Sequence, residues 1–340
     1  MQEYNTDVLI VGAGPVGIFS SYQAGFLGMK TLVVDALSEI GGQPMALYPN
    51  KYIYDIPGFP KILAEDLITQ LLKQAEPFKV NGSGEFILNS QVLELNRLND
   101  ELKQFCVKTS KGDTIYAKAI IICAGAGAFG PNRPPIDNIE NYEGHSVHYF
   151  IKNLEIFRDK NIVIAGGGDS AVDWAITLHD IAKKIYMVHR RDSFRAAPSS
   201  VEQLKNLAKT DKLEMVIPFM LDDITGEGKN LKSVILKDLD NNKKEIEADH
   251  LLAFFGLSRS LGELENWGFK INKLHSSIEV NVPTCETLIP GIFAVGDVAQ
   301  YDHKLKLIAT GFAESSMAIH AAWKYVFPNK PFHFVHSTSK

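Results

Sequence analysis

Residues 6–35 read TDVLIVGAGPVGIFSSYQAGFLGMKTLVVD, and the rest of the chain is organised around this segment. The apolar run Val8 to Val11 predicts a buried strand, and the residues from the glycine-rich turn to about Leu27 have a helical pattern. A second apolar run, Thr31 to Val34, predicts another strand. A strand, a glycine-rich turn, a helix and a second strand in this order are typical of the βαβ unit that binds dinucleotides.

The small residues of this turn have separate expected roles. Gly12 makes the tight turn, Gly14 lets the backbone approach a pyrophosphate, and Gly17 lets the helix pack on the strand. The start of the helix offers free N–H groups and the positive end of its dipole to the phosphates. Asp35, at the end of the second strand, is placed to accept hydrogen bonds from an adenosine ribose. The sequence therefore predicts a site for FAD or NAD.

The same pattern recurs in residues 161–191, which read NIVIAGGGDSAVDWAITLHDIAKKIYMVHRR. Ile162 to Ala165 is the predicted strand. The turn that would hold the phosphates contains Gly166, Gly168, Asp169, Ser170 and Ala171. Two such units predict an oxidoreductase that binds two nucleotides, in which the cofactors supply the chemistry and no acid, base or nucleophile of the protein is required.

The second copy ends on basic residues where the first ends on an acid. Aligned on their glycines, the two copies place His189, Arg190 and Arg191 at the position of Asp35, and Arg195 lies four residues further on. A guanidinium cluster binds a 2′-phosphate through charge-assisted and often bidentate hydrogen bonds, whereas a carboxylate would repel it. The second site is therefore predicted to take NADP(H); the alternative is a solvated basic turn.

Three further features are placed to face a flavin. Gln43 and Tyr48 come after a glycine pair that suits close passage of the backbone past a ligand, although Tyr48 is alternatively a half-buried loop residue. Asp297 ends a short apolar strand and is predicted to hold a ribityl or ribose hydroxyl, the alternative being a helix-capping role. The helical segment from about Ile308 to Tyr325 then begins near the flavin, so the chain returns to its first domain and the second domain is an insertion.

The composition excludes several classes of protein. With 35 Lys and Arg against 40 Asp and Glu, the net charge is −5, which argues against a general nucleic-acid binder. The cysteines, Cys106, Cys123 and Cys285, are too scattered for a disulfide scaffold, and the histidines lack metal-ligand spacing, so no metal is predicted. Residues 8–29 carry no charge but contain five glycines and a proline, so no membrane span is predicted. With an acidic N-terminus, the protein is expected to be cytoplasmic.

Taken together, these motifs resemble those of the thioredoxin-reductase-like flavoproteins. The shared stretches are GAGPVG, GGQ, GGGDSAVDWA, HRRDSFRA and GIFAVGD. The redox-active CxxC pair of thioredoxin reductases is absent, since no two of the three cysteines have that spacing. With the segments ALYPNKYIYDIPGFP and HSTS, this departure makes the chain similar, over nearly its full length, to the thioredoxin-reductase-type ferredoxin–NADP⁺ reductases.

The resemblance implies an α/β fold of two Rossmann-like dinucleotide-binding domains. Residues 1–124 and 286–340 would form a discontinuous FAD domain, and residues 125–285 would form an NADP(H) domain inserted within it. The implied contacts to FAD are Asp35, Gln43, Tyr48, Val92, Phe129, Asp297 and Thr338. Tyr48 is expected to stack on one face of the flavin and His336 to cover the other, commonly from the partner subunit of a homodimer; the alternative for this tail is a frayed terminus.

The implied activity is electron transfer between NADPH and ferredoxin through FAD, by hydride transfer to flavin N5 followed by two one-electron transfers. Ferredoxins are usually acidic, so a local basic patch near the flavin is expected despite the net charge of −5. Two alternatives are an NADPH-dependent flavin or quinone reductase and a non-catalytic redox sensor that binds NADPH and FAD.

Overall fold

The computed structural model describes residues 1–79, 84–98, 104–272, 276–334, 336 and 338, without the side chains of residues 128, 129 and 257–259. The chain divides into two compact units. The discontinuous unit comprises Met1–Phe129 and Arg259–Lys340, and the inserted unit comprises Gly130–Ser258. Within these described ranges, no helix is long and apolar enough to cross a membrane.

The first segment of the discontinuous unit builds most of a mixed sheet, with parallel and antiparallel strand pairs. Its elements are β1 (Glu3–Val11), α1 (Pro15–Phe26), β2 (Thr31–Val34), α2 (Gly42–Leu47), β3 (Tyr52–Ile53), β4 (Ile62–Leu63), α3 (Ala64–Ala75), β5 (Glu85–Ile87), β6 (Val92–Arg97), β7 (Phe105–Thr109) and β8 (Thr114–Ile122), with β9 (Ala128–Pro131) at the boundary. The strand order is β5-β2-β1-β8-β7-β6. The pairs β1–β2, β1–β8 and β2–β5 are parallel, as expected for a sheet built from βαβ units.

The inserted unit contains a second parallel sheet and a small antiparallel one. Its elements are β10 (Val147–His148), β11 (Asn161–Gly166), α4 (Asp169–Leu178), β12 (Lys184–Val188), α5 (Pro198–Leu207), β13 (Leu213–Val216), β14 (Met220–Glu227), β15 (Asn230–Lys237), β16 (Lys243–Glu247) and β17 (His250–Phe254), with β18 (Leu257–Ser260) at the boundary. The parallel sheet has the order β10-β17-β11-β12-β13, and the antiparallel sheet has the order β14-β15-β16.

The last segment of the chain completes the first sheet. Its elements are β19 (Ile271–Asn272), β20 (Ser277–Glu279), β21 (Ile292–Ala294), β22 (Ala299–Gln300) and α6 (Ile308–Val326). β21 pairs in parallel with β8, with Ile292 opposite Ile120. This pairing adds a strand to the first sheet, and the start of α6 lies near the glycine-rich turn after β1.

Burial explains why Val8 to Val11, the second half of β1, form a continuous apolar run. Leu9 and Val11 pack in one core cluster of the discontinuous unit, while Val8 and Ile10 pack in another. A strand of a parallel sheet is covered on both faces, so its sequence does not alternate between apolar and polar residues. The predicted strands 8–11 and 162–165 lie within β1 and β11, and the prediction of Thr31 to Val34 coincides with β2.

The boundary between the two units differs from the one predicted. The chain leaves the discontinuous unit after Phe129 and returns at Arg259, whereas the sequence predicted residues 124 and 286. Residues 259–285 belong to the discontinuous unit because Leu261, Leu264 and Trp267 pack into the same core cluster as Leu9 and Ile120 of β1 and β8. The strands of this stretch, β19 and β20, have only two and three residues, so they carry little sequence periodicity. The sequence therefore did not show that the chain returns to the discontinuous unit as early as Arg259.

Candidate functional site

A cavity of about 300 Å³ lies in the discontinuous unit, at the carboxyl ends of its parallel strands. In open α/β sheets, ligands bind at this edge. The lining includes seven residues that the sequence assigned to FAD: Gly12, Gly14, Asp35, Gln43, Tyr48, Val92 and Asp297. The structure thus brings together side chains from segments that are far apart in the chain.

The glycine-rich turn presents backbone to this cavity. α1 has Gly14 as its N-cap, and no described side chain caps the N–H groups of its first turn. At Gly12 φ is +111°, and a Cβ there would lie 2.4 Å from the carbonyl oxygen of Cys123. A Cβ at Gly17 would lie 1.8 Å from the carbonyl oxygen of Gly12, which explains the close packing of helix on strand.

Gly14 is different, because a side chain there would fit the protein. Its φ is −73°, which any residue adopts, and the nearest atom to an added Cβ would be Gly42 Cα at 3.9 Å. Gly42 belongs to the turn at the start of α2, which also lines the cavity. A larger residue at 14 would therefore occupy the space that a ligand phosphate needs, without distorting the turn.

Asp35, directly after β2, is hydrogen-bonded to the glycine-rich turn that follows β1. Its Oδ2 accepts a hydrogen bond from the N–H of Ala13 at 2.6 Å, and its Oδ1 accepts one from the N–H of Leu37 at 2.7 Å. Burial raises the pKa of Asp35, while these two hydrogen bonds act in the opposite direction. A carboxylate has about four acceptor positions, so acceptor capacity remains for the hydroxyls of a ribose.

Tyr48 and Asp297 line the cavity from different segments. Burial raises the pKa of Tyr48, and the nearby carboxylates of Asp297 and Asp55 add to the shift, so the ring is a neutral phenol. The carboxylate of Asp297 forms no hydrogen bond with any other described residue. It does not cap α6, whose N-cap is Leu307, so the helix-capping alternative for Asp297 does not hold. Its carboxylate is available to a ligand hydroxyl.

Other parts of the cavity wall were not predicted from the sequence. They include Leu37, Ser90, Gln91, Leu261, Leu264 and Leu307. Ser90 is the most informative of these, because its Oγ is buried and has no hydrogen-bond partner among the described residues. A buried hydroxyl without a partner costs free energy, so it indicates a polar ligand atom at this position. The signal available in the sequence was the position of Ser90 close to Val92, at the start of β6.

The inserted unit repeats the backbone of this turn. α4 has Gly168 as its N-cap, and again no side chain in the described part of the unit caps its first turn. A Cβ at Gly166 would lie 2.7 Å from the carbonyl oxygen of Phe254, and one at Gly168 would have only the carbonyl oxygen of Arg195 nearby, at 4.0 Å. Ala171 is fully buried and Ser170 is exposed, while Asp169 Oδ1 accepts a hydrogen bond from the N–H of Ala197.

The predicted basic cluster lies next to this second turn. The N–H of Arg195 donates to the carbonyl oxygen of Gly167 at 2.6 Å, and the imidazole of His189 occupies the space where a Cβ of Gly167 would be. Arg190, Arg191 and Arg195 are not buried, and in the described part of the chain none of them pairs with a carboxylate. Burial lowers the pKa of His189, and the three arginines lower it further, so the guanidinium groups carry the positive charge.

Three predicted FAD contacts are not part of this cavity as described. His336 and Thr338 are exposed and do not line it, and the side chain of Phe129 lies outside the described residues. His336 packs its ring against Phe334 of the same tail, with the ring centroids 4.9 Å apart. The expected contact of His336 with the flavin of a partner subunit stays a prediction.

Each unit has a glycine-rich turn followed by a helix that no described side chain caps. After the second strand, one unit has an acid and the other has arginines. Together these features define an oxidoreductase that binds two nucleotides. A family model described as "Pyridine nucleotide-disulphide oxidoreductase" matches residues 6–324. The chain belongs to this family.

Individual relatives agree with this assignment. The chain is 56% identical over 337 residues to a ferredoxin–NADP reductase of Rickettsia conorii, covering 99% of this chain and 96% of the relative. It is 55% identical over 337 residues to the protein of the same name from Rickettsia prowazekii, covering 99% and 98%. Among solved structures, the thioredoxin reductase of Lactococcus lactis superposes with a TM-score of 0.77 at 26% identity, covering 95% of this chain and 99% of that one. The predicted fold class is therefore confirmed.

Proposed function

We propose that this protein transfers electrons between NADP(H) and a ferredoxin through FAD. The observation that carries the proposal is that the two units share the same glycine-rich turn but differ after their second strands, where one has Asp35 and the other has His189 and its arginines. The relatives named ferredoxin–NADP reductase cover 99% of the chain, which supports the same activity and the same two cofactors. FAD, when bound, exchanges a hydride with the nicotinamide and passes single electrons to the acceptor.

The discontinuous unit supplies the residues that would hold FAD. The free N–H groups at the start of α1 suit the pyrophosphate, and Asp35 suits the adenosine ribose. Ser90 Oγ, buried without a described partner, and the carboxylate of Asp297 are available to further hydroxyl groups of the cofactor. Tyr48 is a neutral ring on the cavity wall, which suits stacking on one face of the flavin. No residue of this set is required to donate or accept a proton.

The inserted unit supplies the residues that would hold NADP(H). The start of α4 suits the pyrophosphate, as α1 does in the other unit. The three arginines suit the 2′-phosphate, since guanidinium groups make paired hydrogen bonds with phosphate oxygens. NAD(H) lacks this phosphate, so the arginines would give the preference for NADP(H).

Thiol chemistry does not fit this chain, although its fold is that of thioredoxin reductase. All three cysteines are free, and none is spaced as CxxC. Burial raises the pKa of Cys123 and of Cys285 to about 12, so neither forms a thiolate near neutral pH. Electrons therefore leave for an acceptor that takes them from the flavin itself, as a ferredoxin does.

Two further parts of the assignment are predictions from the sequence. A homodimer is expected because the resemblance implies that the tail histidine, here His336, covers the flavin of the partner subunit. The cytoplasmic location likewise stays a prediction.

The deciding experiment is NADPH-driven reduction of cytochrome c by the purified protein, with and without a low-potential ferredoxin. We expect a rate that depends strongly on ferredoxin, and NADPH to be preferred over NADH. An equal rate without ferredoxin would contradict the assigned partner and direct attention to quinones and free flavins as acceptors. Slow turnover with every acceptor, despite full flavin occupancy, would support a redox sensor.

A further inference from the structure

A buried ion pair lies behind the part of the cavity wall formed by Gly296 and Asp297. Its members are Glu314, on α6, and Lys304, whose side chains are only 1% and 2% exposed. Burying two charges costs desolvation free energy, which their attraction offsets only when the remaining hydrogen-bonding groups are also satisfied. The electron transfer described above uses neither residue.

The carboxylate of Glu314 is directly bonded to the cavity wall. Its Oε2 accepts a hydrogen bond from the N–H of Gly296 at 2.7 Å. Its Oε1 accepts hydrogen bonds from the hydroxyl of Tyr301, at 2.6 Å, and from Lys304 Nζ. Gly296 and Asp297 themselves line the cavity. The position of this wall therefore depends on a charged group that is sealed from solvent.

The space between α6 and the cavity is tightly filled. A Cβ at Gly311 would lie 2.5 Å from Val16 Cγ2 and 3.3 Å from Gly296 Cα, so the first turn of α6 packs against both. Val16 also lines the cavity. Water and salt screen buried charges much less than exposed ones, so an imbalance between Glu314 and Lys304 would be felt in the cavity.

We propose that Glu314 and Lys304 are positioning residues that hold the Gly296–Asp297 wall and keep it electrically balanced beside the bound flavin. The proposal rests on the proposed function, because the flavin belongs to that assignment. Reduction adds negative charge to the flavin. An unpaired anion behind the wall would disfavour reduction, whereas an unpaired cation would favour it.

The test is the midpoint potential of the flavin, measured by spectroelectrochemistry on the purified flavin-bound proteins. Lys304→Met leaves Glu314 unpaired and should lower the potential. Glu314→Gln leaves Lys304 unpaired and should raise it. For each variant we expect the equilibrium constant for flavin reduction to change by about tenfold, in opposite directions. Measuring from about pH 6.5 to about pH 8.5 reveals any proton that an unpaired group gains or loses.

Three control variants separate charge from structure. Lys304→Arg keeps the charge and should keep the potential of the unaltered protein. Tyr301→Phe removes one hydrogen bond to the same carboxylate without changing any charge, and should change the equilibrium constant by less than about threefold. Combining Lys304→Met with Glu314→Gln removes both charges and should return the potential close to its original value.

The outcomes distinguish this proposal from the one it rests on. Equal shifts in the same direction for Lys304→Met and Glu314→Gln, or no shift in either, would overturn the role of the pair. If only the Lys304 variants fold, a lowered potential for Met with an unchanged one for Arg supports the proposal, and equal potentials overturn it. An unaltered protein that binds no flavin would instead contradict the proposed function.

Discussion

The two nucleotide-binding units share the geometry of their turns and differ in the residues that come after the second strand. Gly12 and Gly166 both approach a carbonyl oxygen of the neighbouring strand so closely that only glycine fits, at Cys123 and at Phe254. Both helices begin without a capping side chain from the described residues. The phosphate-binding end is therefore the same in the two units, and the difference between the cofactors must arise elsewhere.

The units hold their turns in different ways. In the discontinuous unit, the carboxylate of Asp35 itself accepts the N–H of Ala13, so the residue predicted to bind the ribose also supports the turn. In the inserted unit, the carbonyl oxygen of Gly167 accepts the N–H of Arg195, a backbone contact that leaves the guanidinium uninvolved. The arginines can therefore be replaced without loosening their turn, whereas Asp35 cannot.

The largest expected effect tests whether each turn holds its own cofactor. We expect Gly14→Val to abolish FAD binding, with affinity falling by more than about 100-fold, because the side chain would displace a phosphate from two or more charge-assisted hydrogen bonds. Gly168→Val should abolish NADPH binding to the same extent and leave the flavin in place. Flavin absorbance and NADPH titration by fluorescence measure the two losses.

Each of these variants is the control for the other. An added Cβ meets no described atom closer than 3.9 Å at Gly14 or 4.0 Å at Gly168, so both proteins should fold. A yellow protein from Gly14→Val would contradict the assignment of FAD to the first turn. Loss of FAD from Gly168→Val would show that the two sites do not act separately.

A smaller effect is expected from the residues that distinguish the cofactors. Replacing both Arg190 and Arg191 with alanine should raise KM for NADPH by about 10- to 100-fold, because each charge-assisted hydrogen bond contributes about 1.5–3 kcal/mol. KM for NADH should change little, since NADH has no 2′-phosphate. Steady-state kinetics with both nucleotides make the comparison.

Arg158→Ala is the matched control for the arginine pair. Arg158 is also exposed and lies in the same unit, but its guanidinium is already paired with Glu155 through two hydrogen bonds of 2.7 Å. We expect its removal to leave both KM values unchanged. Equal increases for NADPH and NADH in the Arg190 and Arg191 variant would overturn the assignment of the 2′-phosphate site.

The sequence predicted those parts of the fold and site that depend on local pattern. The bounds of β2 coincide with the prediction because a short apolar run ends on a charged residue, Asp35. Gln43, Tyr48 and Asp297 meet at one cavity because they come after strands or turns at the carboxyl edge of the sheet. The return at Arg259 was not predicted because the residues that follow it form a 3₁₀ helix, Gly262–Trp267, and two very short strands, which carry no such pattern.

Residues that act through burial could not be predicted in the same way. Glu314 lies in an amphipathic helix, where a carboxylate normally faces solvent. Its partners Gly296 and Lys304 come from earlier parts of the chain, and only the packed structure brings them together. Ser90 likewise has no motif of its own, and its importance is visible only because its hydroxyl is buried without a described partner.

Asp35 is expected to act on both the cofactor and the turn, and its amide variant tests the two roles together. Asp35→Asn should weaken FAD binding by about tenfold, because an amide has one acceptor atom where the carboxylate has two and the ribose loses a charge-assisted hydrogen bond. Fluorescence titration of the apoprotein with FAD measures the change. Unchanged affinity would contradict both roles of Asp35, its contact with the cofactor and its support of the turn.

The same variant has a pH-dependent effect on stability. Burial raises the pKa of Asp35 in the folded apoprotein, so ionisation favours the unfolded chain. A protonated Asp35 therefore stabilises the folded protein relative to an ionised one. This stabilisation is fully present below the pKa of the unfolded chain, about pH 4, and is lost as the pH rises through the pKa of the native carboxyl. The free energy of unfolding of the unaltered apoprotein, relative to Asp35→Asn, should therefore fall over that window. Urea unfolding at several pH values tests the sign, and a rise would contradict it.

The smallest effect is expected at His189, which stands where the other unit has Asp35. Its imidazole packs over Gly167 and lies 5.1 Å from the ring of Phe194, centroid to centroid, and its lowered pKa leaves it uncharged near neutral pH. It therefore supports the turn and adds no charge to the phosphate site. We expect His189→Ala to raise KM for NADPH and for NADH equally, by about fivefold, which corresponds to about 1 kcal/mol. An increase confined to NADPH would place His189 with the arginines as a residue that recognises the 2′-phosphate.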